Sequence, residues 1–291
     1  MIADRPGPLH GIRVVDLSVA AAGPFATSIL ADQGADVIKV ERPGGDFMRN
    51  VGTTRNGVAG VFAALNRSKR GICIDVKAPR GLDVLRRLVA GADVFVHNLR
   101  PGIAARLGID YESLRAVRAD VVYVAISGWG ERGPLAEQPA YDSVVQAASG
   151  IAAHQGGPDG EPQFVRNTIC DKGTGAMTAQ LITAALLERA RTGRGQQVHV
   201  SMLHASIAFL WPDGMQTVTF LEDVDDDARA TPPPLHRTAD GWVSITAMLD
   251  AEFAGLCRVV GRDELTREPR FADRGSRSRH YAEMWAQVDP V

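Results

Sequence analysis

Asp171 stands in the stretch NTICDKGTGAMTAQLITAALLERARTG, residues 167–193, between a strand-like run and a long amphipathic segment. An acid at this place has two readings. Asp is a preferred helix N-cap, its side-chain oxygen accepting an orphaned backbone N–H; a carboxylate can also be a nucleophile. Cys170 beside it is a conceivable second nucleophile. No histidine lies near it in sequence, and a buried structural cysteine is the commoner case. Cationic side chains recur just past several Val- and Ile-rich runs: Arg42, Lys77, Arg100 and Arg106. Singly each reads as a solvated surface charge, but together they can line a groove for a phosphate-bearing ligand. The loop SGWGERGP, residues 127–134, carries three glycines that would let backbone approach a ligand closely.

The elements that must position these residues are legible as an alternation. GIRVVDLS, ADVIKVE, GICIDV, ADVFVHN and ADVVYVAIS are short continuous apolar runs of the kind that form buried strands. GPFATSILADQG, RGLDVLRRLVAG and GIDYESLRAVR lie between them with apolar residues at helical spacing. This predicts an α/β fold, a Rossmann-like large domain with a mostly parallel sheet. Two further helices are expected at 141–153 and about 174–190, the latter ending near Gly193, then a strand in QQVHVSMLHA. The first strand leads through LSVAAAGPFA into a helix, with Pro24 expected at its first position. With only Gly23 in that turn, G-x-G-x-x-G is missing and a dinucleotide site is disfavoured, although the second strand ends in the acid Glu41.

The large domain is expected to span 1–221. Residues 222–235, with an acid run and three consecutive prolines, read as a solvated linker. Residues 236–291 read as a partial small domain: a hairpin turning at Asp240-Gly241, the helix DAEFAGLCRVVG and a polar tail. So short a segment is expected to need a partner surface over Trp242, Ile245, Phe253, Leu256 and Val260.

A net charge of -2 excludes a nucleic-acid surface built on clustered basic excess. No apolar run approaches the roughly 20 residues that span a bilayer, and the first residues carry no signal-peptide core. The three cysteines are far apart without CxxC pairing and the histidines lack HxxxH spacing, which indicates neither disulfides nor a metal site. A cytoplasmic protein is expected.

Taken in order, GIRVVDLS…AGPFAT…LADQGADVIKVERPGGD, RGICIDVKAPRG, ADVFVHNLRPGIAARLGIDYESL, VVYVAISGWGERGP, AYDSVVQAASG and TGRGQQVHVSM resemble the family III CoA-transferases of the CaiB/BaiF type. That superfamily also holds the α-methylacyl-CoA racemases. The resemblance runs from about Leu9 to Phe271. It implies that Asp171 is the catalytic acid, and that Arg42, Lys77, Asn98 and Arg106 hold CoA with Tyr141 near the thioester. The racemases place a His where this chain has Tyr141, and a phenol with a reference pKa of about 10 is a poor base at neutral pH. The transferase reading therefore leads: CoA passes from an acyl-CoA to a carboxylic acid through an aspartyl anhydride and an aspartyl-CoA thioester. A racemase, or a non-catalytic CoA-binding subunit of a heteromeric transferase, is the alternative. The helix start is expected to lower the Asp171 pKa. CoA enters as part of the substrate, and no tightly bound cofactor is expected. Ala21 and Pro139 replace a Gln and a Lys found in some relatives, which points to a different acyl pocket. The chain ends sooner than the family usually does, as a truncated chain, a short paralogue or one half of a split enzyme would. The expected partners are the acyl-CoA and acid substrates, and a second copy, interlocked as in the family, or a paralogous subunit.

Overall fold

The computed structural model describes residues 7–156, 160–216, 219–221 and 235–288. Two compact units emerge, residues 1–210 and 211–291, divided within the helix Met202–Gly214. The division falls at Leu210 rather than at 221, and the linker expected at 222–235 lies outside the described residues up to 234.

The first unit is built on six parallel strands: β1 (Arg13–Asp16), β2 (Asp36–Glu41), β3 (Arg70–Cys73), β4 (Val94–His97), β5 (Val122–Ser127) and β6 (Gln196–Ser201). Their spatial order is β3-β2-β1-β4-β5-β6. The chain winds outward from β1 in one direction, then returns to place β4 on its other side. At such a reversal the loops leaving the two strands diverge and open a crevice beyond their carboxyl ends. The strands read as unbroken apolar runs because both faces are covered. Val14, Val37, Val94 and Val122 share one core with Leu30 of α1 (Ala22–Asp32) and Ile182 of a long helix on the same face. Val15, Val40, Phe95 and Tyr123 share the other with Leu85 and Val89 of α2 (Pro79–Ala90).

Between β5 and β6 the expected helix over 141–153 divides into α3 (Asp142–Ala148) and a short turn Ile151–His154, because Gly150 takes φ +87 between them. The long helix α4 begins at Ile169, ahead of the expected 174, and runs 24 residues to Thr192 with Gly193 as its left-handed C-cap. Arg189 ties its far end to Asp93 (2.9 Å) and Asp120 (2.7 Å), which precede β4 and β5. Its near end lies against α1 with no room for a side chain at Gly175, where a Cβ would stand 2.7 Å from the Ala22 carbonyl oxygen. The strand expected through residue 205 stops at Ser201, where α5 (Met202–Gly214) begins. Pro24 falls third in α1 rather than first, still within the turn whose N–H groups have no intrahelical acceptor.

The second unit contains the expected hairpin, β7 (Leu235–Arg237) and β8 (Trp242–Ser244), with Trp242 opposite Arg237. The expected helix is α6 (Asp250–Val259). The residues expected as a polar tail instead form α7 (Arg274–Arg279) and α8 (Tyr281–Val288). Met284, Trp285 and Val288 close with Phe253, Cys257, Leu265 and Phe271 into a core of this unit's own. Phe253 is therefore covered from within its own unit, not by another chain or the large domain as expected; Trp242 does remain 64% exposed. Arg277 is buried, donating to the Phe271 carbonyl (3.1 Å) and to Asp250 (2.6 Å). Among the described residues no helix is long and apolar enough to cross a membrane, and no group of acids, histidines and cysteines could hold a metal ion.

Candidate active site

Beyond the carboxyl ends of β1, β4 and β5 lies a cavity of about 220 Å³. The turn after β1 supplies Val19, Ala20 and Ala22, the end of β4 supplies Asn98 to Pro101, and Tyr141, Asp142 and Asp171 complete the wall.

Asp171 is the third residue of α4 and not its cap. That place is taken by Thr168, whose side chain caps nothing. The Asp171 backbone N–H is satisfied from another helix: Asp142, first residue of α3, accepts it at Oδ2 (3.0 Å). Gln146, one turn further along α3, donates to Asp142 Oδ1 (2.6 Å) and accepts the Val165 N–H at Oε1 (2.9 Å). One buried Gln thus fixes both the Asp142 carboxylate and the segment leading into α4. These two residues were missed in the sequence. The Asp-to-Gln spacing of four in YDSVVQ was available, but nothing local shows that α3 meets the start of α4.

Burial and, after it, the Asp142 carboxylate push Asp171 up to about 6, with the Ala22 N–H pulling the other way. The expected lowering by the helix start is therefore overturned: desolvation and a like charge outweigh it. Cys170 is 2% exposed, and burial, with Asp142 and Asp171 nearby, pushes its thiol up to about 11. It stays protonated at neutral pH and packs with Val145, Ile151 and Met202.

The turn carrying Val19 and Ala20 is held by buried charge. Asp16 at the end of β1 accepts from the Ser18 N–H (3.0 Å), the Ser18 and Thr27 hydroxyls and Lys69 (3.1 Å). Burial alone would raise its pKa, but Lys69 and Lys39 hold it at about 2. Lys39 donates to the Ser18 carbonyl (2.6 Å) and pairs with Asp46 (3.2 Å). The clamp sustains Ala20 at φ +65, a conformation unfavourable for a residue with a Cβ.

Of the expected site residues, the cavity brings together Asn98, Tyr141 and Asp171. Tyr141 is 67% exposed at its wall. Asn98 spends its amide on the turn: Oδ1 accepts the Val19 N–H (2.9 Å) and Nδ2 donates to the Val19 carbonyl (2.7 Å). Arg42, Lys77 and Arg106 do not line the cavity. Arg42 directly follows β2, Lys77 lies between β3 and α2, and Arg106 ends a short helix after β4. All three are exposed.

Comparison with known proteins places this geometry. Residues 9–290 match the model of CoA-transferase family III. The chain is 36% identical, over 97% of its length, to the succinate–glutarate CoA-transferase of Agrobacterium fabrum, and covers 73% of that protein. It is 35% identical over 90% of its length to the succinyl-CoA:glutarate CoA-transferase of Mus musculus, and spans only 62% of it. Among solved structures, Rv3272 from Mycobacterium tuberculosis superposes with a TM-score of 0.86 at 33% identity, over 99% of this chain and 78% of that one.

Proposed function

Because the chain belongs to CoA-transferase family III, we propose that it moves CoA from an acyl-CoA thioester to a carboxylic acid, with the Asp171 carboxylate as nucleophile. The observation that carries this reading is the environment of Asp171, a half-buried carboxylate on a cavity wall, titrating near 6. It is charged at neutral pH yet a better base than a solvated carboxylate.

In this reading an Asp171 oxygen attacks the thioester carbonyl carbon, the C–S bond breaks and CoA leaves as thiolate, giving a mixed anhydride. The thiolate then attacks the Asp171 carbonyl; the donor acid departs as carboxylate and an aspartyl-CoA thioester remains. An acceptor carboxylate runs the two steps in reverse and leaves as the new acyl-CoA. Anhydride and thioester lie close in energy, so no ATP is required. The Ala22 N–H beside Asp171 favours its charged form. Arg42, Lys77 and Arg106, exposed along the same edge of the sheet, are assigned to the CoA phosphates, which suits groups outside the reaction cavity. Tyr141 is assigned to the thioester end, and Asn98 to holding the Val19 turn over the cavity. Relatives named for succinate and glutarate make short dicarboxylic acids the first acceptors to try.

Incubation with succinyl-CoA followed by intact-protein mass spectrometry tests the assignment. A covalent CoA adduct is expected, with hydroxylamine converting Asp171 to its hydroxamate and Asp171→Asn forming no adduct. The same adduct on the Asp171→Asn variant would remove Asp171 from the mechanism.

A further inference from the structure

A second cavity, of about 190 Å³, adjoins the first, and the reaction just described does not use it. The two share Leu99, Arg100, Pro101, Ile126 and Ser127 as wall. Its floor is a pair of buried side chains on adjacent strands. His97 of β4 is 4% exposed and Tyr123 of β5 is 2% exposed. In the parallel register His97 lies opposite Ala125 and Phe95 opposite Tyr123, so the two side chains are diagonal neighbours on one face of the sheet.

The hydrogen bonds of this pair fix its polarity. The Leu99 backbone N–H donates to His97 Nδ1 (3.2 Å), so that nitrogen carries no proton. The ring is neutral at pH 7, since burial and then His199 push its pKa down to about 4. Its one N–H is therefore on Nε2 and donates to the Tyr123 phenol oxygen at 2.7 Å. The phenol is thereby made an acceptor toward His97, and its own O–H is left with no acceptor among the described residues. A buried hydroxyl donor without a partner is destabilising, a cost that a bound acceptor removes.

The two carboxylates on the wall are already engaged: Asp110 accepts the Ser113 N–H (3.1 Å) and hydroxyl (2.8 Å), and Glu131 pairs with His199 (2.7 Å). The Arg100 guanidinium, on the wall of both cavities, has no acceptor among the described residues. Among the unspent polar groups of the cavity are thus a phenol O–H and a guanidinium, both donors and one of them charged; the Tyr111 hydroxyl and the Gln197 amide also line the wall. Leu99, Ala104, Ala105 and Ile126 supply the apolar part of the wall.

We propose that this second cavity binds the carboxylate of a small aliphatic organic acid, with Tyr123 and Arg100 as its donors. Its shared wall with the reaction cavity makes it the station of the free acid before attack on the enzyme thioester and after release from the anhydride. That last role rests on the transferase reading; the carboxylate site itself does not.

Titration calorimetry with succinate and with propionate on the Asp171→Asn protein, which cannot form a covalent intermediate, reads the site alone. Saturable binding of both acids is expected, weakened about fivefold to tenfold by an added Tyr123→Phe and tenfold or more by an added Arg100→Ala, the ranges for a neutral and a charge-assisted hydrogen bond. In the otherwise native enzyme, Tyr123→Phe should raise the KM for the acid while the affinity for free CoA stays unchanged. Acid binding that is absent, or equally tight in both added variants, overturns the site. Because Arg100 is exposed, its variant keeps the test valid if Tyr123→Phe disturbs the core. Acid binding that responds to both variants, when the protein with Asp171 intact forms no CoA adduct, upholds the site and removes the transferase reading.

Discussion

A carboxylate kept half out of water beside a second carboxylate is held in its charged form at an energetic disadvantage, and Asp171 carries that disadvantage at neutral pH. Folded, it titrates near 6; unfolded, near its ordinary 3.8. The folded chain therefore keeps the proton longer. Stability falls as pH climbs through that interval, and the full penalty is present above 6. Asp171→Asn should accordingly raise the unfolding free energy at pH 7.5 by on the order of 2 kcal/mol, with the gain gone by pH 4. Chemical denaturation at the two pH values checks this, and an equal gain at both would show that the carboxylate charge is not its source. On the mechanism proposed above, the same group sets the acid limb of the rate profile, expected near pH 6 because the nucleophile must be ionised. Asp142→Asn removes the neighbouring charge while its amide oxygen can still accept the Asp171 N–H. The limb should then move to lower pH, measured as kcat/KM against pH; a limb that stays in place would assign the shift to burial alone. Asp171 could be picked out as a candidate from its motif, but the direction of its pKa could not. A helix start favours a carboxylate, and the opposing burial and the approach of Asp142 come from residues that only the fold brings near.

The elements succeed as positioning devices where helices touch without side chains between them. A Cβ on Gly175 would stand 2.7 Å from the Ala22 carbonyl oxygen and 2.9 Å from Phe25 Cδ1. Backbone on one side and a packed ring on the other leave it nowhere to go. Gly175→Ala should push α1 away from α4 and destabilise the protein by about 1–3 kcal/mol, the usual range for overpacking. Ala22 lines the reaction cavity, so kcat should fall with it. A variant of native stability and kcat would show that the two helices can part without disturbing the site. The strands were legible in the sequence because a parallel sheet covered on both faces admits little but apolar residues, as in the VFVH of β4. The boundaries of α3 and α4 were not. Gly150 breaks one apolar period at φ +87, and the other helix starts early because Asp142, on a different element, satisfies its first turn. Local propensity carries no record of a cap supplied from elsewhere.

At the scale of the whole chain the two units bury separate cores. The residues from Asp273 onward read as a polar tail because three arginines, Arg274, Arg277 and Arg279, dominate DRGSRSRHYAEMWAQV only in its first half. The second half places Met284, Trp285 and Val288 on one helical face, and Arg277 is drawn inside by Asp250 and the Phe271 carbonyl. A guanidinium with both partners supplied behaves as core, which composition alone hides. Phe253 lies in the core of this unit, with the Arg277 guanidinium over its ring at 4.9 Å and Phe271 edge-on to it, ring centroids 6.4 Å apart. Phe253→Ala opens a cavity in this core and should destabilise the unit by about 3–5 kcal/mol. Because the sheet packs its own residues, from Val14 to Val200, the loss should stay local. Hydrogen exchange should accelerate across 250–288 in the variant while β1, β4 and β5 keep their native protection. Acceleration of equal size in those central strands would mean that the two cores unfold as one.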